Sequence, residues 1–368
     1  MRLVIAAGGT GGHLFPALAL ALALKEAGAR PLAAGHITPQ LRREFEAAGI
    51  PWVDLPAVRL PRRKAGYLWL PFRLIWAWLA AAFLLARRRP AAVIGMGGYA
   101  SAAPAAAARC LGIRLYFCEQ NLLPGKVTRF FSRWSEAVFT AFPESSGYLQ
   151  SKRVLNFGNP LRPSLKPVDR KAARRELGLD EGRFTLLVLG GSQGAHRINL
   201  KVLEALPGLN REQVQFIHLT GPADHPAVEA AYRTGGWSAF TAPFQSAMEV
   251  PYSAADLVLC RAGATTIAEL IRFGKPALLI PLPSAAEDHQ RLNARWLAER
   301  KAARVIEEGD LTGKNLAEEV SGLAGAPDRL AAMAAAAGGL ARPDPARSIG
   351  AYLLGELGGK STSEKTSA

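Results

Sequence analysis

Two glycine-rich segments and one histidine are the residues of this chain whose spacing points most directly to chemistry. Residues 8–12 (GGTGG) precede His13, and residues 190–194 (GGSQG) follow another apolar run. A strand that turns through glycines into a helix exposes backbone N–H groups that bind a phosphate or diphosphate well. An imidazole at such a turn can accept a proton near neutral pH. The alternatives are that the glycines only permit close packing, and that His13 caps its helix or binds a phosphate.

Neither glycine segment fits the better-known nucleotide fingerprints. The third glycine of GxGxxG would fall on Leu14, and GxxxxGK[ST] does not occur in the sequence. No two aspartates stand two residues apart, so a metal-bridged diphosphate lacks its usual ligands. The sequence therefore predicts that helix N-termini neutralise a diphosphate without a required metal, which leaves room for a loosely bound Mg²⁺.

Apolar runs of strand length alternate with helical stretches, as in parallel sheets with right-handed crossovers. The predicted strands cover residues 2–7, 91–95, 114–118, 137–142, 184–189, 214–219, 256–260 and 277–281. In each half, the opening strand runs into one glycine segment and a later strand runs into a second, at 95–98 and at 261–264. The pattern predicts an α/β fold of two Rossmann-like, doubly wound domains, with ligands at the carboxyl ends of the strands.

The domain boundary is predicted at residues 159–163 (NPLRP), which are rich in residues that interrupt helices and strands. With 368 residues the chain exceeds the roughly 250 at which single cores stop growing. We expect an N-terminal domain over residues 1–160 and a C-terminal domain over 161–340. A helix over 341–358 could pack back on the N-terminal domain, and 359–368 form a disordered tail.

Composition narrows the choice of compartment and partner. Three cysteines without paired spacing indicate neither a disulfide framework nor a zinc site, which fits a reducing cytoplasm. The net charge of +15 points to a polyanionic partner: nucleic acid, an anionic membrane or a phosphorylated substrate.

The charge and the aromatic rings coincide between residues 55 and 118, where no Asp or Glu occurs. Tryptophans flanked by basic residues are typical of segments that lie in a membrane interface. The predicted membrane contacts are Arg62, Arg63, Lys64, Trp69, Phe72, Trp76 and Trp78. A transmembrane span over 65–86 is disfavoured by Pro71 and Arg73, whereas a helix buried in the N-terminal domain stays an alternative. Nucleic acid is disfavoured because these rings lie in an apolar run and not in a polar groove.

Six motifs together resemble the MurG family, which transfers N-acetylglucosamine from its UDP form to the lipid-linked muramyl-pentapeptide of peptidoglycan synthesis. They are GGTGGH at 8–13, CEQN at 118–121, GNPLR at 158–162, GGSQG at 190–194, RAGATTIAE at 261–269 and EDHQRLNA at 287–294. The resemblance runs from residue 1 to about 350, with Cys118 at a position where relatives have histidine. It implies a GT-B architecture and an inverting transfer to the C4 hydroxyl, from lipid I to lipid II.

The resemblance also implies roles for individual residues. His13 is the candidate base, and Glu119 is a rival whose alternative is a buried structural acid. Glu269 would accept both ribose hydroxyls, although a solvated helix glutamate is the plainer interpretation. The remaining donor-binding residues are Thr10, Gly11, Gly12, Asn121, Arg162, Ser192, Gln193, Gly194, Phe244, Gln245, Gly263, Ala264, Thr265, His289 and Gln290, and Gly97, Gly98 and Tyr99 would face the acceptor.

The partners implied are UDP-N-acetylglucosamine, an undecaprenyl-diphosphate-linked muramyl peptide and an anionic membrane surface, without nucleic acid. The location implied is the cytoplasmic face of the inner membrane, as a peripheral protein. Three rival functions stay open at this point: a GT-B transferase for another acceptor, a binding or scaffold protein without catalysis, and a basic nucleic-acid-binding protein.

Overall fold

The computed structural model of the chain describes residues 1–9, 11–37, 39–58, 67–191 and 193–359. They form two units. Unit 1 comprises Met1–Arg162 and the C-terminal segment from Arg342, and unit 2 comprises Pro163–Ala341. The chain therefore passes between the units after Arg162, where the sequence analysis placed the boundary after residue 160.

Unit 1 is built on a seven-stranded parallel sheet with the strand order β3-β2-β1-β4-β5-β6-β7. Its strands are β1 Arg2–Gly8, β2 Arg30–His36, β3 Trp52–Asp54, β4 Ala92–Gly95, β5 Arg114–Glu119, β6 Ala137–Thr140 and β7 Val154–Asn156. Its helices are α1 Gly11–Glu26, α2 Pro39–Ala47, α3 Leu70–Arg88, α4 Ala102–Cys110, α5 Lys126–Phe131 and α14 Pro345–Leu357.

Both faces of this sheet are covered, which is why β1 reads as an unbroken apolar run. Leu3 and Ile5 belong to a core with α1 and α14, whereas Val4 and Ala6 belong to a second core with α3 and α4. The alternation follows from the two-residue period of a strand. Helix α14 packs directly against α1.

Unit 2 has a six-stranded parallel sheet with the order β10-β9-β8-β11-β12-β13. Its strands are β8 Phe184–Leu189, β9 Val214–Leu219, β10 Ala239–Ala242, β11 Leu257–Cys260, β12 Ala277–Leu279 and β13 Ala303–Val305. Its helices are α6 Arg170–Glu176, α7 His196–Ala205, α8 His225–Thr234, α9 Glu249–Ala254, α10 Ala264–Phe273, α11 His289–Glu299, α12 Gly313–Ala324 and α13 Pro327–Gly339.

The two sheets share one topological feature that positions ligands. In unit 1 the chain moves from β1 to β2 on one side and later places β4 on the other side of β1; β9, β8 and β11 repeat this order in unit 2. A crevice opens where the strand order reverses, at the carboxyl ends of the central strands. The predicted α/β fold of two doubly wound sheets is confirmed.

Candidate functional site

In unit 1, three loops converge on the His13 ring. His13 is the third residue of α1, and its Nδ1 lies 2.8 Å from Oε1 of Gln120, which follows β5. A Cβ added to Gly97 or Gly98, after β4, would lie 3.3 Å or 3.4 Å from ring atoms of His13. Both glycines have positive φ, so their backbone lies directly against the imidazole. The switch point of the sheet thus holds an ionisable ring.

The loop after β4 is tied to β1 by the hydroxyl of Ser101. The Ser101 hydroxyl lies 2.8 Å from the carbonyl oxygens of both Ala6 and Gly97, which ties the β4 loop to β1. Tyr99 is the first residue of the short 3₁₀ helix Tyr99–Ser101 and is 44% exposed. The Tyr99 side chain is therefore accessible in this unit, and its contact with the acceptor stays a prediction.

Glu119 has the surroundings of a structural acid. It is only 3% exposed, and its carboxylate accepts the backbone N–H of Asn121 at 3.1 Å and of Gly125 at 3.2 Å. These bonds shape the turn after β5, whose Asn121 carbonyl also accepts from the Ser145 hydroxyl at 3.2 Å. The geometry favours the structural alternative for Glu119 and leaves His13 as the better-placed base.

The start of α1 carries further predicted donor-binding residues. Gly11 and Gly12 are the first two residues of the helix. The guanidinium of Arg162 lies 4.6 Å from the centroid of the Phe15 ring, one turn further along. This cation–π contact holds Arg162 near the helix start. Thr10 lies outside the described residues.

In unit 2, the loop after β8 packs backbone against backbone. A Cβ on Gly194 would lie 2.1 Å from the carbonyl oxygen of Thr220, and one on Gly221 would lie 2.4 Å from the carbonyl oxygen of Gln193. The close-packing explanation for the glycines therefore holds for Gly194. Gly191 differs, because it has positive φ but open space around its α-carbon. Gln193 is exposed beside it, and Ser192 lies outside the described residues.

Helix α10 begins with the geometry that an anion site needs. Gly263 is its N-cap residue and has no side chain to occupy the first-turn amides, and Ala264 and Thr265 follow as the first helical residues. The N–H groups of a first turn have no partner within their own helix. The diphosphate contact predicted at this helix start stays a prediction.

Glu269, on the same helix, is held by a residue that the sequence analysis missed. The buried Tyr252 hydroxyl donates to Oε2 of Glu269 at 2.8 Å. Burial raises the pKa of Tyr252 well above 10, so the hydroxyl stays protonated and donates. The ring stacks on Phe273 with 5.1 Å between centroids. The only signal in the sequence is a tyrosine five residues before β11, which is not distinctive. Glu269 is therefore not a freely solvated helix residue.

The segment that leads into α11 has an unusual backbone conformation and is held by ion pairs. Glu287 and Asp288 have φ values of 50° and 56°, a conformation that non-glycine residues rarely adopt. Arg291 binds Asp288 at 2.8 Å and Glu307 at 3.0 Å. This network places His289, the first residue of α11, which is partly buried.

Two amides of α11 are engaged with neighbouring loops. Oε1 of Gln290 accepts the backbone N–H of Leu282 at 3.0 Å, so this oxygen already has a structural partner. Nδ2 of Asn293 donates to the carbonyl of Ala262 at 3.2 Å, and Asn293 is fully buried. Asn293 thereby ties α11 to the start of α10. The sugar contact predicted for His289 and Gln290 stays a prediction.

The predicted uracil-binding residues follow β10. Phe244 is 38% exposed, and the preceding Pro243 carbonyl accepts the N–H of Gly221 at 3.1 Å. Phe244 and Gln245 therefore follow a loop that packs against the β9 loop.

No three His, Cys, Asp or Glu side chains within the described ranges lie close enough to hold a metal ion.

Helix α3 separates the predicted membrane residues into two groups. Trp69, Phe72 and Trp76 are 64%, 65% and 66% exposed and lie on one stripe with Ile75, Leu79 and Phe83. Trp78 departs from the prediction, because it packs against the core that contains Val4 and Ala81. Residues two apart lie about 200° apart around a helix, so Trp76 and Trp78 face opposite sides. Arg62, Arg63 and Lys64 lie outside the described residues.

Among the helices of the described ranges, α3 alone has the length and the apolar composition that crossing a membrane would require. One of its sides, with Ala77, Ala81, Leu84 and Leu85, is nevertheless buried in unit 1. A helix that packs one side on its own sheet and exposes an apolar stripe on the other fits a surface-lying arrangement.

Comparisons with known proteins agree with this architecture. Models of the glycosyltransferase family 28 N-terminal and C-terminal domains match residues 3–140 and 185–348. The chain is 41% identical to the UDP-N-acetylglucosamine--N-acetylmuramyl-(pentapeptide) pyrophosphoryl-undecaprenol N-acetylglucosamine transferase of Methylococcus capsulatus, over 97% of this chain and 99% of that protein. The enzyme of the same name from Anaeromyxobacter sp. (strain K) is 41% identical over 95% of this chain and 91% of its own length.

Among solved structures, MurG of Acinetobacter baumannii superposes with a TM-score of 0.76 at 30% identity, covering 96% of this chain and 99% of that one. The fold and the loop clusters define a two-domain glycosyltransferase of GT-B architecture. More narrowly, the chain belongs to the MurG family of N-acetylglucosaminyltransferases, as the six sequence motifs predict.

Proposed function

We propose that the chain transfers N-acetylglucosamine from UDP-N-acetylglucosamine to the C4 hydroxyl of lipid-linked N-acetylmuramyl-pentapeptide. The observation that carries the proposal is 41% identity to the Methylococcus capsulatus enzyme over nearly the full length of both proteins. Both glycine-loop clusters of the chain lie at the strand ends where such chemistry requires them.

The proposed reaction is a direct displacement with inversion. The acceptor oxygen forms a bond to the anomeric carbon while the bond from that carbon to the UDP oxygen breaks. His13 takes the hydroxyl proton, and the electron pair leaves with the β-phosphate of UDP. Backbone N–H groups at the α10 start stabilise the charge that develops there, whereas the Gly194 N–H already donates to the Gly191 carbonyl at 2.9 Å.

Further side chains would select the donor. Glu269, held by Tyr252, accepts the ribose hydroxyls. Phe244 and Gln245 contact uracil, His289 and Gln290 contact the sugar, and Asn121 and Arg162 complete the donor contacts. These assignments rest on motif correspondence.

The acceptor's lipid requires access to a membrane, and the exposed stripe of α3 is suited to it. Phe72, Trp76 and Phe83 are about two-thirds exposed, an unusual cost for rings of this size in water. Arg87 and Arg88 end the same helix and would meet anionic headgroups. We propose a peripheral location on the cytoplasmic face of the inner membrane.

The activity is tested by incubating the protein with labelled UDP-N-acetylglucosamine and a short-chain lipid I analogue. We expect transfer to the acceptor, with the β-configured disaccharide as product. Activity that persists in the presence of a chelator would support the metal-independent mechanism, whereas loss that Mg²⁺ restores would contradict it. Hydrolysis without transfer, or no turnover of either substrate, would contradict the proposed function.

Membrane contact is tested with the matched pair Trp76→Ser and Trp78→Ser. We expect Trp76→Ser to weaken binding to vesicles containing anionic lipid and to leave the melting temperature within about 2 °C. Trp78→Ser should lower the melting temperature and bind vesicles normally while folded. The reverse pattern, or no binding by the unsubstituted protein, would contradict the assignment of this surface.

A further inference from the structure

Gln120 is almost completely buried next to His13, and its amide orientation is fixed by the backbone. It is 1% exposed, and its Nε2 donates to the carbonyl oxygen of Cys118 at 3.0 Å. A carbonyl oxygen can only accept, so the NH₂ group of the amide must face Cys118. The opposite orientation would place two oxygens against each other. Oε1 therefore points at His13.

This orientation determines which ring nitrogen of His13 carries a proton. Oε1 of Gln120 lies 2.8 Å from Nδ1 of His13, and an amide oxygen has no hydrogen to donate. The hydrogen between them must belong to Nδ1. In the neutral ring, Nε2 then has no proton and presents its lone pair.

We infer that Gln120 is a positioning residue that holds His13 in the Nδ1–H tautomer and so makes Nε2 the proton acceptor. The catalytic consequence rests on the proposed function, whereas the tautomer itself does not. The contact serves both stages of the reaction, because Nδ1–H donates to Oε1 in the neutral ring and in the imidazolium. Gly98, whose added Cβ would lie 3.4 Å from Nε2, brings no side chain to that side of the ring.

The ionisable side chains on the elements around the ring are few. Glu119 precedes Gln120 and has its carboxylate on the N–H groups of Asn121 and Gly125. Tyr99 follows the Gly98 turn, and Arg162 lies over Phe15 on α1. None of these is altered in the variants below, so a change in the ring reports on residue 120.

The direct test is nitrogen NMR of the full-length protein with ¹⁵N-labelled histidine, with the His13 signals assigned by their loss in His13→Ala. In the unsubstituted protein we expect Nδ1 to be protonated and Nε2 to be unprotonated above the pKa of the ring. In Gln120→Leu we expect the tautomer to change and kcat to fall on the order of a hundredfold, with UDP affinity within about twofold.

Two further variants separate positioning from folding. Gln215→Leu removes another buried glutamine, which bonds to Asp180 in unit 2, and should cost stability without changing the His13 tautomer. Gln120→Glu keeps an acceptor oxygen and should keep the Nδ1–H tautomer while shifting the acidic limb of the kcat/KM profile upward, since a carboxylate favours the imidazolium.

An Nε2–H tautomer in the unsubstituted protein would overturn the inference, as would an Nδ1–H tautomer that survives in folded Gln120→Leu. Because the NMR signal does not depend on turnover, failure of the transfer assay with the expected tautomers would refute the proposed function alone. If Gln120→Leu does not fold, the spectra of the unsubstituted protein and of Gln120→Glu still decide.

Discussion

Each unit has a histidine facing an amide oxygen, and the two histidines differ in how many of their ring nitrogens are hydrogen-bonded to described residues. His218 in unit 2 is fully buried, with Tyr232 Oη 3.0 Å from Nδ1 and Asn199 Oδ1 3.0 Å from Nε2. His13 in unit 1 is partly exposed, and among the described residues its hydrogen-bond partner is Gln120, on one side only. Both ring nitrogens of His218 are hydrogen-bonded, whereas the described partner of the His13 ring contacts Nδ1 alone.

The difference extends to the loops around each switch point. In unit 1 the glycines after β4 make room for a side chain, the His13 ring. In unit 2 Gly194 makes room for another backbone segment, the Thr220 carbonyl. The same topology therefore places an imidazole ring at the switch point of one unit and closely packed backbone at that of the other.

The strongest test of the contrast is His13→Ala. Loss of the base should lower kcat by roughly 10²–10⁴-fold, while UDP affinity should stay within about twofold because the proposed donor contacts are made by other residues than the His13 side chain. The measurement is steady-state transfer combined with calorimetric UDP titration. Near-normal turnover would remove His13 from the base role, and Glu119→Gln would then show whether the buried carboxylate takes it.

The backbone packing in unit 2 is tested by Gly194→Ala with Gly191→Ala as its matched control. Both glycines have positive φ, but only Gly194 lacks space for a Cβ. Gly191→Ala should lower the free energy of unfolding by about 1–2 kcal/mol, and Gly194→Ala by about 3 kcal/mol or more, with loss of UDP binding. Urea unfolding measures both. Equal costs would show that the loop relaxes easily and that the close contact is unimportant.

The buried His218 predicts that unit 2 becomes less stable as the pH falls. Burial lowers the pKa of His218 from 6.5 to about 3, so the unfolded state binds the proton more readily. This contribution to stability is complete above about pH 6.5 and is lost as pH falls toward the folded-state pKa, by ~1.4 kcal/mol per pH unit. Between about pH 7 and 4.5 the unsubstituted protein should lose ~2–3 kcal/mol more than His218→Gln in calorimetric unfolding. Parallel losses would place the sensitivity elsewhere.

The smallest expected effect is that of Tyr252→Phe. The variant keeps the stack on Phe273 but removes the hydrogen bond to Glu269. We expect the donor KM to rise about threefold to tenfold with little change in kcat, because a ground-state contact is weakened. Glu269→Ala should exceed this effect. An unchanged KM in Tyr252→Phe would show that donor binding by Glu269 does not depend on the hydrogen bond from Tyr252.

The strands that were predicted and those that were missed differ in composition and length. All eight predicted strands exist, because buried parallel strands such as Phe184–Leu189 are mostly apolar, here with Thr185 as the exception and Gly190 directly after the strand. Strand Arg30–His36 was missed because it contains proline, alanine and glycine, which carry little strand propensity. The other four missed strands, Trp52–Asp54, Val154–Asn156, Ala239–Ala242 and Ala303–Val305, have three or four residues, and each includes a polar or charged residue, unlike the equally short Ala277–Leu279.

The sequence by itself determined the fold class, the family and the positions of the glycine turns, because these depend on local residue types in a fixed order. Only the tertiary structure decided which side chains act together. Gln120 and His13 are 107 residues apart, and Tyr252 and Glu269 meet only because α9 and α10 pack together. Which side of α3 faces solvent was likewise decided by packing on the sheet, since Trp76 and Trp78 are chemically identical and differ only in direction.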